Sequence, residues 1–391
     1  MALTNFAALT AEQKKAWSMA FWHHARNNSF LNQFTGSGSN AMIQRVTELT
    51  KSKKGTKAVI TLLADLLGDG VVGDYQLEDN EEALQSFETS ILFDQLRHAN
   101  RIQGRMADQK SIVNFRGASK DALAYWASDR VDQMGLLSLS SIPYTQNTNG
   151  SLRAVLATGK NLSDLEFAPS GTTAKPTANR CFHLKSTGLV RGTGFRTGID
   201  GAGIAGNPAE GTLVPLTYKA LVQLKAAAKD SYIRSLRGEG GNEFYNVFVT
   251  PQGMADLRLD ADFLANVRNA GVRGDANSLF SGAASVMVDG MLISEHRHVY
   301  DNTKAAATYK FGATGNQDGQ RVLLCGAQAL GMADIGEAEW VEDTFDYENQ
   351  LGISVAKMVG FIKPQFQGNL SSYATKEDFG VITLDTAVSV V

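Results

Sequence analysis

The residues of this sequence that could carry chemistry are few, and two histidines one residue apart are the most suggestive. His296 and His298 would share one face if their segment were a strand, because side chains alternate along a strand. Two imidazoles fall short of a metal site unless a carboxylate joins them, and Glu295 would then point to the opposite face. We interpret the pair as part of a polar sheet surface and expect no metal ligands here.

A second candidate is the segment Gly201–Gly206, which matches the dinucleotide-binding pattern G-x-G-x-x-G. In such a site an apolar strand precedes the glycines and a helix follows them. No apolar strand comes before this segment, and Asn207 and Pro208 stand where the helix would begin. The G-x-S-x-G pattern of serine hydrolases is also missing. We predict no catalytic residues and no cofactor, and we keep a nucleotide-dependent enzyme using Gly201–Gly206 as the alternative from another class of function.

The composition excludes several classes of protein. The chain has 391 residues and a net charge of -3, so no overall positive field attracts nucleic acid. The two cysteines, Cys181 and Cys325, are too few for a disulfide framework or a four-cysteine zinc site, and we expect reduced thiols. The N-terminus lacks the charged start and apolar run of a signal peptide. No apolar run reaches the roughly 18 residues of a membrane span, so we expect no membrane contact.

The elements that must position any site are organised around one predicted helix, Lys110–Leu139. Its apolar residues recur at steps of three and four, which is the period of a helix. These residues are Leu123, Trp126, Ala127, Val131 and Met134. No proline interrupts the stretch, and at about 1.5 Å per residue it would span roughly 40 Å. We expect a single strut laid along the protein.

An arm-like segment comes before this helix. Thr10 and Gln13 form a capping box, which predicts a helix from there to about Arg26. The arm carries many aromatic residues for its size: Trp17, Phe21, Trp22, Phe30 and Phe34. A free arm would not display these side chains to water, so we expect them to dock on a larger surface, and another chain is one alternative. We therefore treat them as candidate contacts between subunits.

A strongly acidic stretch lies between the arm and the helix. Ala58–Leu63 and Phe87–Leu96 are predicted strands of a long hairpin, and the whole stretch holds nine acids without a lysine or arginine. The acids that we single out as candidate contacts are Asp74, Glu78, Asp79, Glu81 and Glu82. The candidate basic partners are Arg45, Lys51, Lys53 and Lys54 of the arm, or Arg97, Arg101 and Arg105 after the hairpin. Complementary surfaces that meet between subunits are one interpretation, and a solvated acidic face is the other.

The second half of the sequence predicts a mixed α and β fold. Ser151–Gly211 has weak periodicity and is interpreted as an elaborated loop, and Thr217–Leu236 has a helix pattern. Thr250 and Pro251 are favoured residues for the start of another helix. The predicted strands are Asn246–Val249, Ser285–Ile293, Val299–Phe311, Arg321–Leu324, Val355–Ile362 and Val381–Leu384.

Several long segments resemble a known family. They are Asn40–Val72, Gln95–Lys110, Asn246–Gly274, Leu323–Gly336 and Phe345–Lys363. Together they resemble the major capsid proteins of tailed bacteriophages, which have the Hong Kong 97-like fold, an α+β fold. The resemblance extends over nearly the whole chain and is weakest in Ser151–Gly211.

The resemblance implies an architecture. Residues 1–50 would form the N-terminal arm, and 51–106 a strand of the peripheral P-domain with the extended E-loop. Residues 107–216 would add the spine helix and a Gly/Thr-rich insertion to the P-domain. Residues 217–339 would form the axial A-domain, and 340–391 would return to the P-domain. Because the sequence begins close to the arm, we expect a separate scaffolding protein rather than a fused scaffolding segment.

The function implied is that of a structural, non-enzymatic subunit that assembles with itself. Hexamers and pentamers would form an icosahedral shell around double-stranded DNA, assembled in the host cytoplasm and retained in the virion. Separate scaffolding, portal and decoration proteins are expected partners. DNA contact would be unspecific, because the sequence has no recognition helix or zinc-finger spacing. The alternative within the same fold is an encapsulin-like cellular compartment.

Overall fold

The computed structural model describes residues 11–47, 55, 57–63, 68–82, 86–111, 114–155, 161–170, 174–192, 195–196, 207–208, 212–238, 241–270, 285–306, 309–312, 315–367 and 376–389. The helices are α1 (Ala11–Asn28), α2 (Arg105–Lys110), α3 (Phe115–Leu139), α4 (Tyr218–Asp230), α5 (Pro251–Leu259) and α6 (Ala261–Ala270). The first strands are β1 (Thr35–Gly36), β2 (Ile43–Val46), β3 (Lys57–Leu63), β4 (Ser86–Leu92), β5 (Asp94–Arg101), β6 (Cys181–Lys185), β7 (Gly188–Arg191), β8 (Phe195–Arg196), β9 (Asn207–Pro208) and β10 (Leu236–Arg237). The remaining strands are β11 (Glu243–Val249), β12 (Ser285–Val288), β13 (Met291–Glu295), β14 (Gly319–Cys325), β15 (Leu330–Phe345), β16 (Gln350–Ile362), β17 (Gln365–Gln367), β18 (Lys376–Asp378) and β19 (Val381–Ala387).

Two sheets form the frame of the molecule. The first sheet has five strands in the order β1-β2-β15-β16-β5, and its long antiparallel pair β15 and β16 forms a hairpin. The second sheet has the path β12-β13-β11-β14-β19-β6-β7, with β10 attached to β11. Helices α4, α5 and α6 cover one face of the second sheet and share its core cluster. Strands β3 and β4 form a separate hairpin with Ala58 opposite Ile91.

Helix α3 corresponds to the predicted long helix, and it is buried because it packs against both sheets. Its N-terminal half packs with α1 against the first sheet, through residues such as Leu123 and Ala127 beside Trp340. Its C-terminal half lies between the sheets, where Met134, Leu136, Leu137 and Leu139 join a core shared with Phe248 and Phe361. This second half is therefore buried on every side rather than along one stripe.

The start of α3 differs from the expected Lys110. The helix begins at Phe115, because the side chain of Asn114 caps it by accepting a hydrogen bond from the Gly117 amide at 3.3 Å. Lys110 belongs instead to the short helix α2.

Gly135 of α3 is a poor helix former, but its lack of a side chain is needed for packing at this position. A Cβ atom there would lie 2.4 Å from Leu31 Cδ1, so the glycine allows the arm to approach the helix closely.

Several other predicted elements end differently in the structure. The predicted strand Phe87–Leu96 is divided between β4 and β5, and Ser285–Ile293 is divided at a turn where Asp289 has a φ of 50°. The helix predicted to reach Leu236 ends at Asp230, and Tyr232 then adopts a φ of 55°. The strand predicted over Val299–Phe311 is wrong for its described residues, because Asp301 accepts hydrogen bonds from the amide and hydroxyl of Thr303 and forms a turn.

Sheet membership also differs from the expected domain ranges. Leu330–Phe345 begins inside the range 217–339 but pairs in the first sheet, next to β16. Val381–Ala387 was expected to return to the domain of the long helix, yet it pairs with β14 and β6 in the second sheet. Cys181–Lys185 is a strand within the predicted loop Ser151–Gly211. Its residues Cys181 to Leu184 are all buried, so they carry no alternating pattern that would have revealed it.

Candidate functional site

The acidic segment 68–82 is a long exposed surface feature among the described residues. It connects β3 to β4, and the five acids singled out from the sequence are all exposed: Asp74, Glu78, Asp79, Glu81 and Glu82. Three apolar side chains accompany them, with exposed fractions of 76% for Val72, 82% for Tyr75 and 60% for Leu77. The segment therefore presents apolar and negatively charged groups together, whereas the charge pattern of the sequence indicates only the acidic part.

The strands that carry this segment pack on their own chain. Ile60, Leu62 and Ile91 are buried against Ala333 and Ile335 of β15. The first sheet of the same chain therefore covers the apolar face of the hairpin. The described part of the connection, residues 68–82, is in contrast almost entirely exposed.

The four candidate basic partners among the described residues fall into two groups. Arg45 is engaged within the chain, because it forms an ion pair with Asp334, whose side chain is 3% exposed. The other three candidates, Arg97, Arg101 and Arg105, are exposed on β5 and α2. The Arg101 guanidinium lies 5.1 Å from the centre of the Phe345 ring, and Arg105 makes a 3.8 Å pair with the exposed Glu348. Lys51, Lys53 and Lys54 lie outside the described residues.

The arm aromatics of α1 are seated on the first sheet of the same chain. The ring centres of Trp17 and Trp340 are 5.7 Å apart, and Phe21 is 1% exposed beside the same ring. Trp22 lies over the Lys357 ammonium, with 4.7 Å between the nitrogen and the ring centre. The larger surface expected for these residues is therefore intramolecular in this structure, because α3, β15 and β16 offer an apolar bed for α1.

The elbow after α1, residues 29–34, is fixed by α3 and by the second sheet. The buried Asp132 carboxylate accepts hydrogen bonds from the Ser29 hydroxyl at 2.6 Å and from the amides of Phe30 and Leu31 at 2.8 and 3.1 Å. Phe34 packs against Phe248 of β11, with ring centres 5.1 Å apart. Burial raises the pKa of Asp132, and the three hydrogen bonds oppose that rise. The elbow thus ties the arm to α3 and to the second sheet.

The two histidines lie in a turn after β13 and not on a strand as expected. His298 Nε2 is 2.7 Å from Asp129 Oδ1 on α3, and Arg297 pairs with the same carboxylate. His296 stacks on Phe30 with ring centres 4.3 Å apart. Burial, together with the neighbouring charges of His298 and Arg297, lowers the pKa of His296 to about 4. These side chains join the elbow to α3.

A buried polar row in the second sheet was not anticipated from the sequence. Arg321, Asp385 and His183 occupy paired positions on β14, β19 and β6. His183 Nδ1 lies 3.6 Å from Asp385 Oδ2, and Cys181 Sγ lies 3.9 Å from the same oxygen. Arg321 already pairs with both oxygens of Asp385, at 2.8 and 3.1 Å. Burial and the adjacent Asp385 raise the pKa of Cys181 to about 12, which keeps it a thiol. We interpret this row as a buried ion pair between Arg321 and Asp385, with His183 and Cys181 packed beside it.

The predicted nucleotide-binding segment, Gly201–Gly206, lies outside the described residues. Both cysteines are buried and free. In the part of the chain that the structure describes, we find no helix long and apolar enough to cross a membrane. Among the described residues, Cys181, His183 and Asp385 are the buried group whose side-chain atoms lie close enough together to be considered for a metal ion, and Arg321 already occupies both oxygens of Asp385.

Comparisons with known proteins show which proteins are similar to this chain in sequence and in fold. A family model described as phage capsid protein matches residues 5–194 and 216–390. The major capsid protein of Pseudomonas phage KPP25 is 51% identical over 384 residues, which cover 98% of this chain and 97% of that protein. The capsid of Ralstonia phage GP4 has a TM-score of 0.68 at 21% identity and covers 93% of this chain and 92% of its own. The cyanophage Pam1 capsid has a TM-score of 0.66 at 18% identity, over 99% of both chains.

Proposed function

This chain belongs to the phage capsid protein family, and from that premise we propose that copies of it assemble as hexamers and pentamers into an icosahedral shell around double-stranded DNA. The chain is a major capsid protein with the Hong Kong 97-like fold and a component of the virion capsid. The observation that carries the proposal is the 51% identity to a phage major capsid protein along nearly the full length of both chains. The family match favours a phage shell over the encapsulin-like compartment.

The parts of the fold suggest how such a shell would be built. We assign α1 and the elbow to the N-terminal arm, segment 68–82 to the E-loop, and α3 to the spine helix of the P-domain. The first sheet completes the P-domain, and most of the second sheet with α4 to α6 makes the axial A-domain. Exposed acids and apolar groups on segment 68–82 support a role in contacts between copies, because they lack cover in a single chain.

The remaining partners follow from the same proposal. Assembly would take place in the host cytoplasm, with separate scaffolding, portal and decoration proteins. DNA would be held without sequence preference by scattered lysines and arginines, so binding should weaken with salt. A sequence-selective footprint on DNA at moderate salt would contradict this part of the proposal. Because a structural shell subunit needs no reaction centre, we also propose that the chain is not an enzyme.

Electron microscopy of the expressed full-length chain tests the central proposal. Closed icosahedral particles with hexamers and pentamers are the expected result, either from this chain alone or after co-expression with a scaffolding protein. Particles from infected cells should contain long double-stranded DNA. Protein cargo in place of DNA would favour a compartment, and a chain that stays monomeric under both conditions would contradict the shell.

A further inference from the structure

Two half-buried arginines, Arg130 and Arg153, carry charges that the fold does not neutralise. Arg130 lies on α3, and Arg153 ends a short hairpin, residues 144–153, that follows the helix. Among the described residues, their hydrogen bonds go to neutral oxygens, and neither guanidinium forms an ion pair with a carboxylate. Charges that are withdrawn from water are normally paired, so two unpaired cations in one place mark a candidate binding site.

The hairpin fixes the direction of the Arg153 side chain. Its Nε donates to the Tyr144 carbonyl at 3.0 Å, and its Nη2 donates to the Gln146 carbonyl at 3.2 Å. The Tyr144 hydroxyl donates in turn to the Met134 carbonyl of α3 at 3.2 Å, which attaches the hairpin to the helix. Carbonyl oxygens orient the guanidinium without cancelling its charge, and they leave the Nη1 donors available to a ligand.

Arg130 extends towards the same hairpin. Its Nη1 donates to the side-chain oxygen of Gln133, which directs the guanidinium along α3 towards the turn where Tyr144 is attached. Burial and the neighbouring charge of Arg130 lower the pKa of Arg153, so the two cations interact. Burial and the same Arg130 charge also lower the pKa of His98 on β5. The helix, the hairpin and the strand thus each bring one nitrogen donor group to this place.

The carboxylate that faces Arg130 is Asp129, and it is already shared by other partners. His298 Nε2 lies 2.7 Å from Asp129 Oδ1, and Arg297 pairs with the same oxygen. Burial alone would raise the pKa of Asp129, but the hydrogen bond and charge of His298 lower it, as do the charges of the two neighbouring arginines. Three guanidiniums, those of Arg130, Arg153 and Arg297, therefore accompany one carboxylate. The surface is locally positive although the whole chain has a net charge of -3.

We propose that Arg130 and Arg153 form a phosphate-binding site, with the His98 imidazole as a further donor. A guanidinium offers parallel N–H donors that match two oxygens of one phosphate, and two guanidiniums together can hold a doubly charged group. Two sources share this chemistry: the backbone of enclosed DNA, and free phosphate or pyrophosphate. The DNA source rests on the proposed shell function, whereas the anion site itself does not.

Binding measurements on the full-length chain test the site. The probes are pyrophosphate, followed by calorimetry, and a short fluorescent DNA duplex, followed by anisotropy across a salt series. Arg130→Gln with Arg153→Gln should weaken the binding of both probes by about tenfold or more, because charge-assisted hydrogen bonds are lost. The slope of log affinity for DNA against log salt should fall by about two. The matched control, Arg105→Gln with Arg237→Gln, removes the same charge from two exposed arginines and should leave pyrophosphate binding and the salt slope unchanged.

Arg130→Gln alone guards against a folding defect, because it keeps the hairpin contacts of Arg153. It should weaken pyrophosphate binding while the circular dichroism spectrum stays that of the parent. Unchanged binding in the double variant, or an equal loss in the control, would overturn the site. Polyglutamate that binds as tightly as the duplex, and is lost in the same variant, would assign the surface to an acidic protein and would also overturn the proposal.

Two further comparisons separate the source of the phosphate and the fate of the shell. Loss of both probes in the double variant supports the DNA backbone as the ligand, and loss of pyrophosphate alone supports free phosphate. Electron microscopy of the parent is scored independently. If the parent forms shells and the variants bind phosphate normally, the site fails while the shell function stands. If the parent forms no shells, the proposed function fails, whatever the binding measurements give.

Discussion

Arg321 and Asp385 form an ion pair in which neither side chain is exposed to solvent. The pair joins β14 to β19 at directly opposed positions, and Arg321 Nη1 also donates to the Ser140 carbonyl at 2.8 Å. Ser140 is the C-cap of α3, where unpaired carbonyls favour a positive charge. Lys363 acts beside it, with its ammonium 2.7 Å from Asp378 and bonded to Ser141. Two buried cations thereby hold the end of α3: Arg321 on β14 of the second sheet, and Lys363, which directly follows β16 of the first sheet.

Replacing Arg321 by methionine should destabilise the subunit strongly. The change would leave the buried Asp385 carboxylate without its cation, and removing one partner of a buried pair costs about 3–5 kcal/mol. Denaturant unfolding of the unassembled subunit would measure the loss. The control is Lys229→Met, whose pair with Glu243 is about half exposed, with side chains at 54% and 46%. That variant should change stability by only about 0–1 kcal/mol. A loss for Arg321→Met no larger than that of the control would contradict the anchoring role.

The Arg321–Asp385 pair also shows which kind of contact cannot be predicted from the sequence. The helix period revealed α3, and Thr250 with Pro251 revealed the start of α5, because those signals are local. The pairing of Arg321 with Asp385 joins positions 64 residues apart, and only the sheet register brings them together. The predicted strand over Val299–Phe311 failed because β-branched and apolar residues there are buried in turns.

For a similar reason, some residues of the candidate surfaces can be predicted from the sequence and others cannot. The charge pattern of the sequence was enough to select the acids of segment 68–82 and the arginines of β5 as candidate surface residues. The apolar partners of the arm could not, because Trp340 and Lys357 lie more than 300 residues from Trp17 and Trp22. Tyr347 was also missed, since its exposure follows from a hairpin turn with left-handed residues that are not glycine.

Asp132→Asn should release the elbow of the arm. The carboxylate accepts three hydrogen bonds from Ser29, Phe30 and Leu31, and an amide offers one oxygen and brings an NH2 group against the donors. A loss of about 1–3 kcal/mol is expected from unsatisfied buried groups. Hydrogen exchange at the amides of Phe30 and Leu31 should accelerate. The control is Asp121→Asn, at a side chain that is 52% exposed. Unchanged protection in Asp132→Asn would show that the carboxylate does not hold the elbow.

Acid should weaken the same elbow through His296. Burial, with His298 and Arg297 nearby, lowers the pKa of His296 from 6.5 to about 4, and Asp129 opposes the shift. Between these values the unfolded chain binds more protons than the folded chain, so the free energy of unfolding rises with pH. The contribution is complete above pH 6.5 and is lost as the pH falls towards 4.

His296→Phe provides the matched variant for this pH effect. Phenylalanine can keep the stacking contact with Phe30 but has no proton to bind. Denaturant midpoints of parent and variant should be compared from pH 4 to pH 7, the interval that contains both pKa values. The parent should lose more stability than the variant as the pH falls. Parallel curves for the two proteins would show that His296 does not titrate in this interval.

Deleting Met1–Gly36 should leave a folded subunit that forms no stable shells. The deletion removes α1 and the elbow, and it uncovers the apolar bed that includes Leu123, Ala127 and Trp340. The second sheet and its helices keep their own core, so circular dichroism should still report folded protein. The control is Met19→Ser, since Met19 is 50% exposed on α1. Shells of normal yield and shape from the truncated chain, seen by electron microscopy, would refute the requirement for the arm.

Reversing the charge of segment 68–82 should block assembly without unfolding the subunit. The replaced residues are Asp74, Glu78, Asp79, Glu81 and Glu82, each changed to lysine. All five are exposed, so their side chains contribute little to the fold of one chain. Each exposed pair in a shell contributes only about 0–1 kcal/mol, but the contact recurs in every subunit and linked contacts reinforce one another.

The matched variant replaces the same acids by asparagine and glutamine, which removes attraction without adding repulsion and should therefore be milder. Sedimentation would report assembly, and circular dichroism would report folding, for both variants across a salt series. Salt screens exposed charges, so the difference between the lysine variant and the parent should be greatest at low salt. If the lysine variant assembles as well as the parent at low salt, the acids of this segment form a solvated face and do not attract a neighbouring copy.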